Sequence, residues 1–240
     1  MRRFALLLSA FVLLTACKKE DHGDANLHIT GNIKGLSQGK LYIQKIVDTS
    51  LVALDTIVID GKKGFESHVK IDSPQMLYLF LDRGQTNSVD NNLPFFAEPG
   101  TMTIESNNEE FFARAKITGS KNQKIYEDYI KIKNRFNNDN LDLVKKNLEA
   151  SKRGNVKQLD SVMAKSDQLL KRRYLYTVNF ALKNADHEVG PYLALSEIYD
   201  ANIKYLDTIR KSMSPKVAQS HYGKMLTQFV ADRKKAETTE

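Results

Sequence analysis

Two hydrophobic periods divide this chain. From Leu27 onward, Leu27, Ile29, Gly31 and Ile33 alternate with His28, Thr30, Asn32 and Lys34, the period-two pattern of a strand with one buried face. The same reading predicts strands over 40–47, 54–60, 65–71, 76–82, 93–97, 101–105 and 111–117. Turn residues separate them at Asp60-Gly61-Lys62-Lys63-Gly64, Ser73-Pro74 and Glu98-Pro99-Gly100. Pro99 presets the φ of a turn's second position and Gly100 tolerates positive φ at its third. Short strands at this spacing predict an antiparallel β-sandwich or partly open barrel of about eight strands over residues 27–119. The run Met76-Leu77-Tyr78-Leu79-Phe80-Leu81 is apolar on both faces. It therefore needs a second cover, which the downstream helices are expected to supply.

From Ser120 the period changes to 3.6. Ile125, Tyr129, Ile132 and Phe136 form one helical stripe, Leu141, Val144 and Leu148 a second, and Leu159, Met163, Leu170, Tyr174, Val178 and Ala181 a third. Pro191 suits the first turn of a helix carrying Tyr192, Leu195 and Tyr199. Ile203, Leu206 and Ile209 mark a short helix. Ser214-Pro215 reads as the start of a last helix with Ala218, Tyr222, Leu226 and Phe229. The fold class is thus a segregated α+β arrangement, with a helical domain over 120–236 packed on the sheet and a polar tail at 237–240.

The first residues obey neither period. Arg2 and Arg3 precede an uncharged run, Phe4 to Leu14, that would span roughly 16 Å as a helix, about half of a bilayer core. That is the length of a signal peptide, expected at 1–16. Leu14-Thr15-Ala16-Cys17 looks like a bacterial lipobox, which makes Cys17 the expected lipidation (palmitate and diacylglyceryl) site and 17–26 a lipidated tether. Several acyl chains on one cysteine hold a protein in a membrane without a transmembrane helix. Lys19-Glu20-Asp21 resembles an export signal that carries lipoproteins to the surface of one Gram-negative phylum. The expected location is the outer membrane, lipid-anchored and at the cell surface, with its periplasmic face as the alternative.

Composition narrows the chemistry. The single cysteine is Cys17, so the body beyond it has no thiol for a disulfide, a nucleophile or a metal site. Residues 18–120 carry 11 basic and 14 acidic side chains and residues 121–240 carry 23 and 15. The basic excess of the second half reads as a solvated helix surface, and no nucleic-acid partner is expected. The histidines are His22, His28, His68, His187 and His221, and none has the sequential spacing of a metal motif. No Gly-x-Ser-x-Gly elbow, phosphate-binding loop or dinucleotide fingerprint occurs. Catalytic, cofactor-binding and metal residues are therefore expected to be none, and no cofactor is expected. Eight tyrosines lie beyond Ser120; their spacing reads as core rim, with a glycan or peptide groove as the other reading. The polar stretch Arg83–Asn92 is a further candidate binding loop.

Several segments carry a family resemblance: Gly31-Asn32-Ile33-Lys34-Gly35, Gly39-Lys40-Leu41-Tyr42-Ile43, Asp55 to Phe65, Phe96-Ala97-Glu98-Pro99-Gly100, and Ile117-Thr118-Gly119-Ser120-Lys121-Asn122. They resemble domain-of-unknown-function family 4369, a β domain that commonly precedes a thioredoxin-like domain in envelope thiol:disulfide interchange lipoproteins. The helical region, through Ser220-His221-Tyr222-Gly223-Lys224, resembles that family's connecting segment. The resemblance implies fold more than activity. This sequence has neither the thioredoxin-like domain nor a Cys-x-x-Cys pair, so the relatives' redox activity transfers to none of its residues. The expected function is a non-catalytic binding or scaffold module, with a membrane partner through the N-terminal lipid and a protein or glycan partner in the envelope. The alternatives are an accessory to a separate thioredoxin-like exchange system and a hydrolase with an unrecognised site.

Overall fold

The computed structural model describes residues 23–61, 63–84 and 88–239. Eight strands come first: β1 (Leu27–Lys34), β2 (Gln38–Val47), β3 (Ser50–Asp60), β4 (Phe65–Val69), β5 (Gln75–Asp82), β6 (Asn92–Ala97), β7 (Gly100–Asn107) and β8 (Lys116–Thr118). Six helices follow: α1 (Lys121–Lys152), α2 (Val156–Lys183), α3 (Val189–Glu197), α4 (Ile203–Ser212), α5 (Pro215–Ala218) and α6 (His221–Thr239). The strands form two four-stranded sheets, β4-β1-β7-β8 and β3-β2-β5-β6. They do not close into a barrel, so the arrangement is a sandwich followed by helices.

The alternation in β1 does what its period implies. Leu27, Ile29 and Ile33 meet Leu41 and Ile43 of β2, Leu77, Leu79 and Leu81 of β5, and Met102 and Ile104 of β7 in one core between the sheets. The other face of the second sheet is covered as the two-sided run of β5 requires. Met76, Tyr78 and Phe96 pack against Tyr129 of α1, Phe180 of α2, Val189 and Leu193 of α3, and Tyr222 of α6.

Four features depart from the periodic reading. One ladder, β1 with β7, is parallel; β6 and β7 lie in different sheets, so the Glu98-Pro99-Gly100 turn crosses the sandwich rather than closing a hairpin. The predicted strand 111–117 shrinks to β8, because the Asp90 carboxylate accepts the N–H groups of Phe111 and Phe112 at 3.2 and 3.0 Å and holds them in a turn. The first two helical stripes belong to one 32-residue helix, since no glycine or proline interrupts residues 121–152. Leu141, Val144 and Leu148, which form the second stripe, are more than half exposed there, as is Met163 of α2. In this distal part of the α1–α2 hairpin only the face that meets the partner helix is buried, through Ala150, Val162 and Leu169. The last predicted helix, by contrast, divides into two, α5 and α6. Ser214 caps α5 and Ser220 receives the N–H of Gly223 at the start of α6. A side chain at Gly223 would collide with the Val217 carbonyl.

The junction between sandwich and helices is built from side chains that satisfy backbone groups. Glu98 Oε2 accepts from the Ser120 hydroxyl at 3.0 Å and from the Lys121 and Asn122 N–H groups at 2.8 and 3.2 Å. Ser120 Oγ in turn accepts the Gln123 N–H at 2.9 Å. Gly119, at φ +99°, brings the chain so close to Thr101 that any side chain would meet that residue's carbonyl. At the far side of the helical half, Asp207 of α4 binds Lys211 and Arg210 of its own helix and Lys234 of α6, each at 2.9 Å.

Two stability predictions follow from these anchors. Glu98→Ala should lower the unfolding free energy by about 1–3 kcal/mol in urea titrations, and Glu98→Gln, which keeps one acceptor, by clearly less. The Asp207 carboxyl is held well below its usual range, first by Lys234 and then by Lys211. Its contribution is therefore complete above the unfolded value of about 3.9 and is lost as pH falls toward the folded one. Asp207→Asn should cost about 1–3 kcal/mol at pH 7, and the gap to the parent should close as urea titrations move below pH 4.

Candidate functional site

Where the helices meet the second sheet they leave a cleft of about 550 Å³. Its wall on the strand side comes from the end of β2 (Lys45, Ile46, Val47), the turn residue Asp48, and Lys70, Ile71 and Asp72 after β4. Its floor and helical wall are Met76, Tyr78, Tyr192, Tyr222 and Met225. Each element is there for a local reason. Residues 48 and 49 form a two-residue hairpin turn between β2 and β3, with Asp48 at φ +54°, a conformation aspartate tolerates better than most residues. Tyr222 is fixed by accepting the Met76 N–H on its hydroxyl at 3.0 Å, and the His221 N–H donates to Ser73 Oγ at 3.0 Å.

Aromatic packing sets the floor. Phe96 is fully buried and takes Tyr192 and Tyr222 edge-on at centroid distances of 5.5 and 6.0 Å, with Tyr126 tilted at 6.4 Å. Tyr192 and Tyr222 are themselves 5.0 Å apart. Such pairs add specific contact energy to the area they bury. Burial pushes the Tyr222 phenol up to about 12 and raises Tyr192 and Tyr78. Burial, with help from Lys45, lowers the His221 imidazole. The cleft therefore presents neutral hydroxyls, a neutral imidazole and apolar surface at its base, with Lys45, Lys70, Asp48 and Asp72 at its mouth.

The chain enters beside this mouth. Asn26 exchanges two hydrogen bonds with the Ile71 backbone, donating to its carbonyl at 2.8 Å and accepting its N–H at 2.9 Å. Asp24 pairs with Lys70. The adjoining β2–β3 tip is apolar and open to solvent: Ile46, Val47, Leu51 and Val52 are all more than 40% exposed.

The sequence-predicted residues fare differently. Cys17, Lys19, Glu20 and Asp21 lie outside the described residues. The candidate loop at 83–92 is partly described. Arg83 pairs with Asp90 at 3.4 Å, and Asp90 anchors Phe111 and Phe112; Arg83 lines a separate, open depression with Leu36, Lys40 and Asp82. Of the tyrosines, Tyr129 is core, its hydroxyl paired with Thr177 Oγ1 at 2.9 Å. Tyr192 and Tyr222 reach the cleft, while Tyr199 and Tyr205 are exposed. Missed by sequence reasoning are the strand-side residues of the cleft and a convergence of His28, Glu66 and His68 on the opposite sheet. The one available signal for the latter was that both histidines fall on polar strand faces; their spacing in sequence is too wide for a motif.

Residues 27–126 match the model of a domain of unknown function (DUF4369). The β domain belongs to this family. The match spans all eight strands and the opening of α1, so the Glu98–Ser120 junction and the sheet side of the cleft are parts of the DUF4369 domain, whereas α3 and α6 lie beyond it. Comparison of the chain with curated proteins and with solved structures gave no match. Among the described residues no helix is long and apolar enough to cross a membrane.

Proposed function

We propose that this protein is a lipid-anchored, non-catalytic binding or scaffold module of the outer membrane, whose ligand-binding surface is the cleft between the second sheet and helices α3 and α6. The observation that carries the binding part is the cleft's composition. An apolar, aromatic base with a few polar groups at the mouth is what small ligands and short polymer segments require. Tyrosine hydroxyls beside aromatic faces suit a glycan or an extended peptide of the envelope.

The anchoring part rests on Leu14-Thr15-Ala16-Cys17 and on where the body begins. Seven residue steps separate Cys17 from Asp24, at most about 25 Å of extended chain. With Asp24 and Asn26 tied to Lys70 and Ile71, an acylated Cys17 would hold Asp24, beside the cleft mouth, within that distance of the bilayer. The resemblance of Lys19-Glu20-Asp21 to a surface-export signal supports the outer leaflet facing the medium.

Three experiments test this reading. Cys17→Ser should move the protein from the membrane to the soluble fraction, and retention in the membrane would falsify lipidation as the holding force. Proteinase shaving of intact cells should digest the parent and spare a variant with Lys19, Glu20 and Asp21 all replaced by alanine. Mature protein used as bait in envelope extracts should enrich a defined glycan or protein, and Ile46→Asp with Met225→Asp at the rim should reduce that recovery at least tenfold. Equal recovery by both baits would remove the cleft from the proposal.

A further inference from the structure

The outer face of the first sheet carries a second constellation. In the antiparallel β1–β4 ladder His28 stands directly opposite His68, and Glu66 lies two residues from His68 on the same face, opposite Thr30. Direct cross-strand neighbours have Cβ atoms about 5 Å apart, and here the two imidazoles stack at 4.3 Å with 12° between their planes. Both Nε2 atoms turn toward one carboxylate oxygen: Glu66 Oε1 is 2.6 Å from His28 and 3.4 Å from His68. One ligating atom from each of the three residues falls within 4.8 Å of the other two. Among the described residues helix packing is on the other sheet, through Phe96, Met76 and Tyr78, and on this face the Glu66 side chain is 58% exposed.

We propose that His28, Glu66 and His68 form a binding site for a divalent metal ion of the zinc class. Two imidazole nitrogens and a carboxylate are a ligand set zinc takes with a fourth position left open. Bonds of about 2.0–2.1 Å in a tetrahedron place ligand atoms about 3.3 Å apart. The His68–Glu66 distance of 3.4 Å already meets this. The His28–Glu66 distance of 2.6 Å must open by about 0.7 Å, which the exposed glutamate supplies by rotating, while the rings splay from their stack. A further observation points to a ligand. His28 Nε2 is shut off from solvent and makes no hydrogen bond of acceptable geometry, its approach to Glu66 notwithstanding. A buried polar atom in that state calls for a partner, and a cation between the three groups supplies it. With two neutral imidazoles and one carboxylate the bound ion keeps a net charge of +1, and its open position faces outward, where water or an anionic group of a partner completes the shell.

The test uses the full chain carrying Cys17→Ser in every sample, so that no thiol competes. Zinc chloride titrated into the protein should show one saturable site per chain by calorimetry. The imidazole NMR signals of His28 and His68 should move with it and those of His187 and His221 should not. His28→Asn and His68→Asn should each weaken binding at least tenfold, and Glu66→Gln severalfold. All three should melt at the parent's metal-free temperature but lose the rise in melting temperature that zinc gives the parent. No saturable one-to-one binding by the parent, or zinc-dependent shifts at histidines other than these two, overturns the proposal whatever the variants do. Undiminished binding by the folded His28→Asn, His68→Asn double variant overturns it as well.

Discussion

Helix α1 begins against the end of the sandwich, and a helix start leaves N–H groups that its own backbone cannot satisfy. Here one carboxylate answers that need. Glu98, in the turn that carries the chain from one sheet to the other, accepts two of those N–H groups and the Ser120 hydroxyl. A negative charge at a helix N-terminus also complements the helix dipole. The next residues of α1 then reach outward. Gln123 takes the Phe96 N–H at 2.7 Å, and Asn122 accepts from Val189 and donates to Glu188 at the start of α3. Sheet, first helix and third helix are thus fixed to one another within three consecutive residues. The position of the cleft follows, since α3 brings Tyr192 and the sheet brings Tyr78.

The same junction explains why the segments that carry the DUF4369 resemblance are turns and strand ends rather than a polar cluster around a cavity. Phe96 to Gly100 and Ile117 to Asn122 are distant in sequence but meet at the Glu98 cap, and Gly119 permits the close passage beside Thr101 that the meeting requires. Such residues specify how a sheet hands over to a helix. They are compatible with many different occupants of the cleft, because the groups at its helical wall, Tyr192, His221, Tyr222 and Met225, lie outside the matched span.

What could be read from the sequence was set by locality. β1 was legible because a period of two over eight residues has one structural meaning, and the double-sided apolar run of β5 correctly demanded helices above it. The stripes at Leu141–Leu148 and at Met163 misled because amphipathicity signals a helix without saying how far the body extends to cover it. The parallel β1–β7 pair and the Asp90 anchor for Phe111 depend on partners 73 and 21 residues away respectively. The candidate sites failed to appear for the same reason. The His28–His68 pair exists only in a register between strands 40 residues apart, and the cleft draws on β2, the segment after β4, and α6.

The two sheets consequently have unlike outer faces, and the chain enters between them. The second sheet is roofed by helices, so its outward residues had to become apolar, and the imperfect fit at its edge leaves a cleft with an aromatic base. Among the described residues no helix roofs the first sheet in this way, its outward positions stay polar, and two imidazoles and a carboxylate face one another across β1 and β4. β1 carries His28 at its second residue, and the residues just before it, Asp24 and Asn26, grip Lys70 and Ile71 at the cleft mouth. Lys70 follows directly on the end of β4, two residues beyond His68. Asp24, Asn26 and Lys70 thus join the start of β1 to the end of β4, the two strands that carry the histidines.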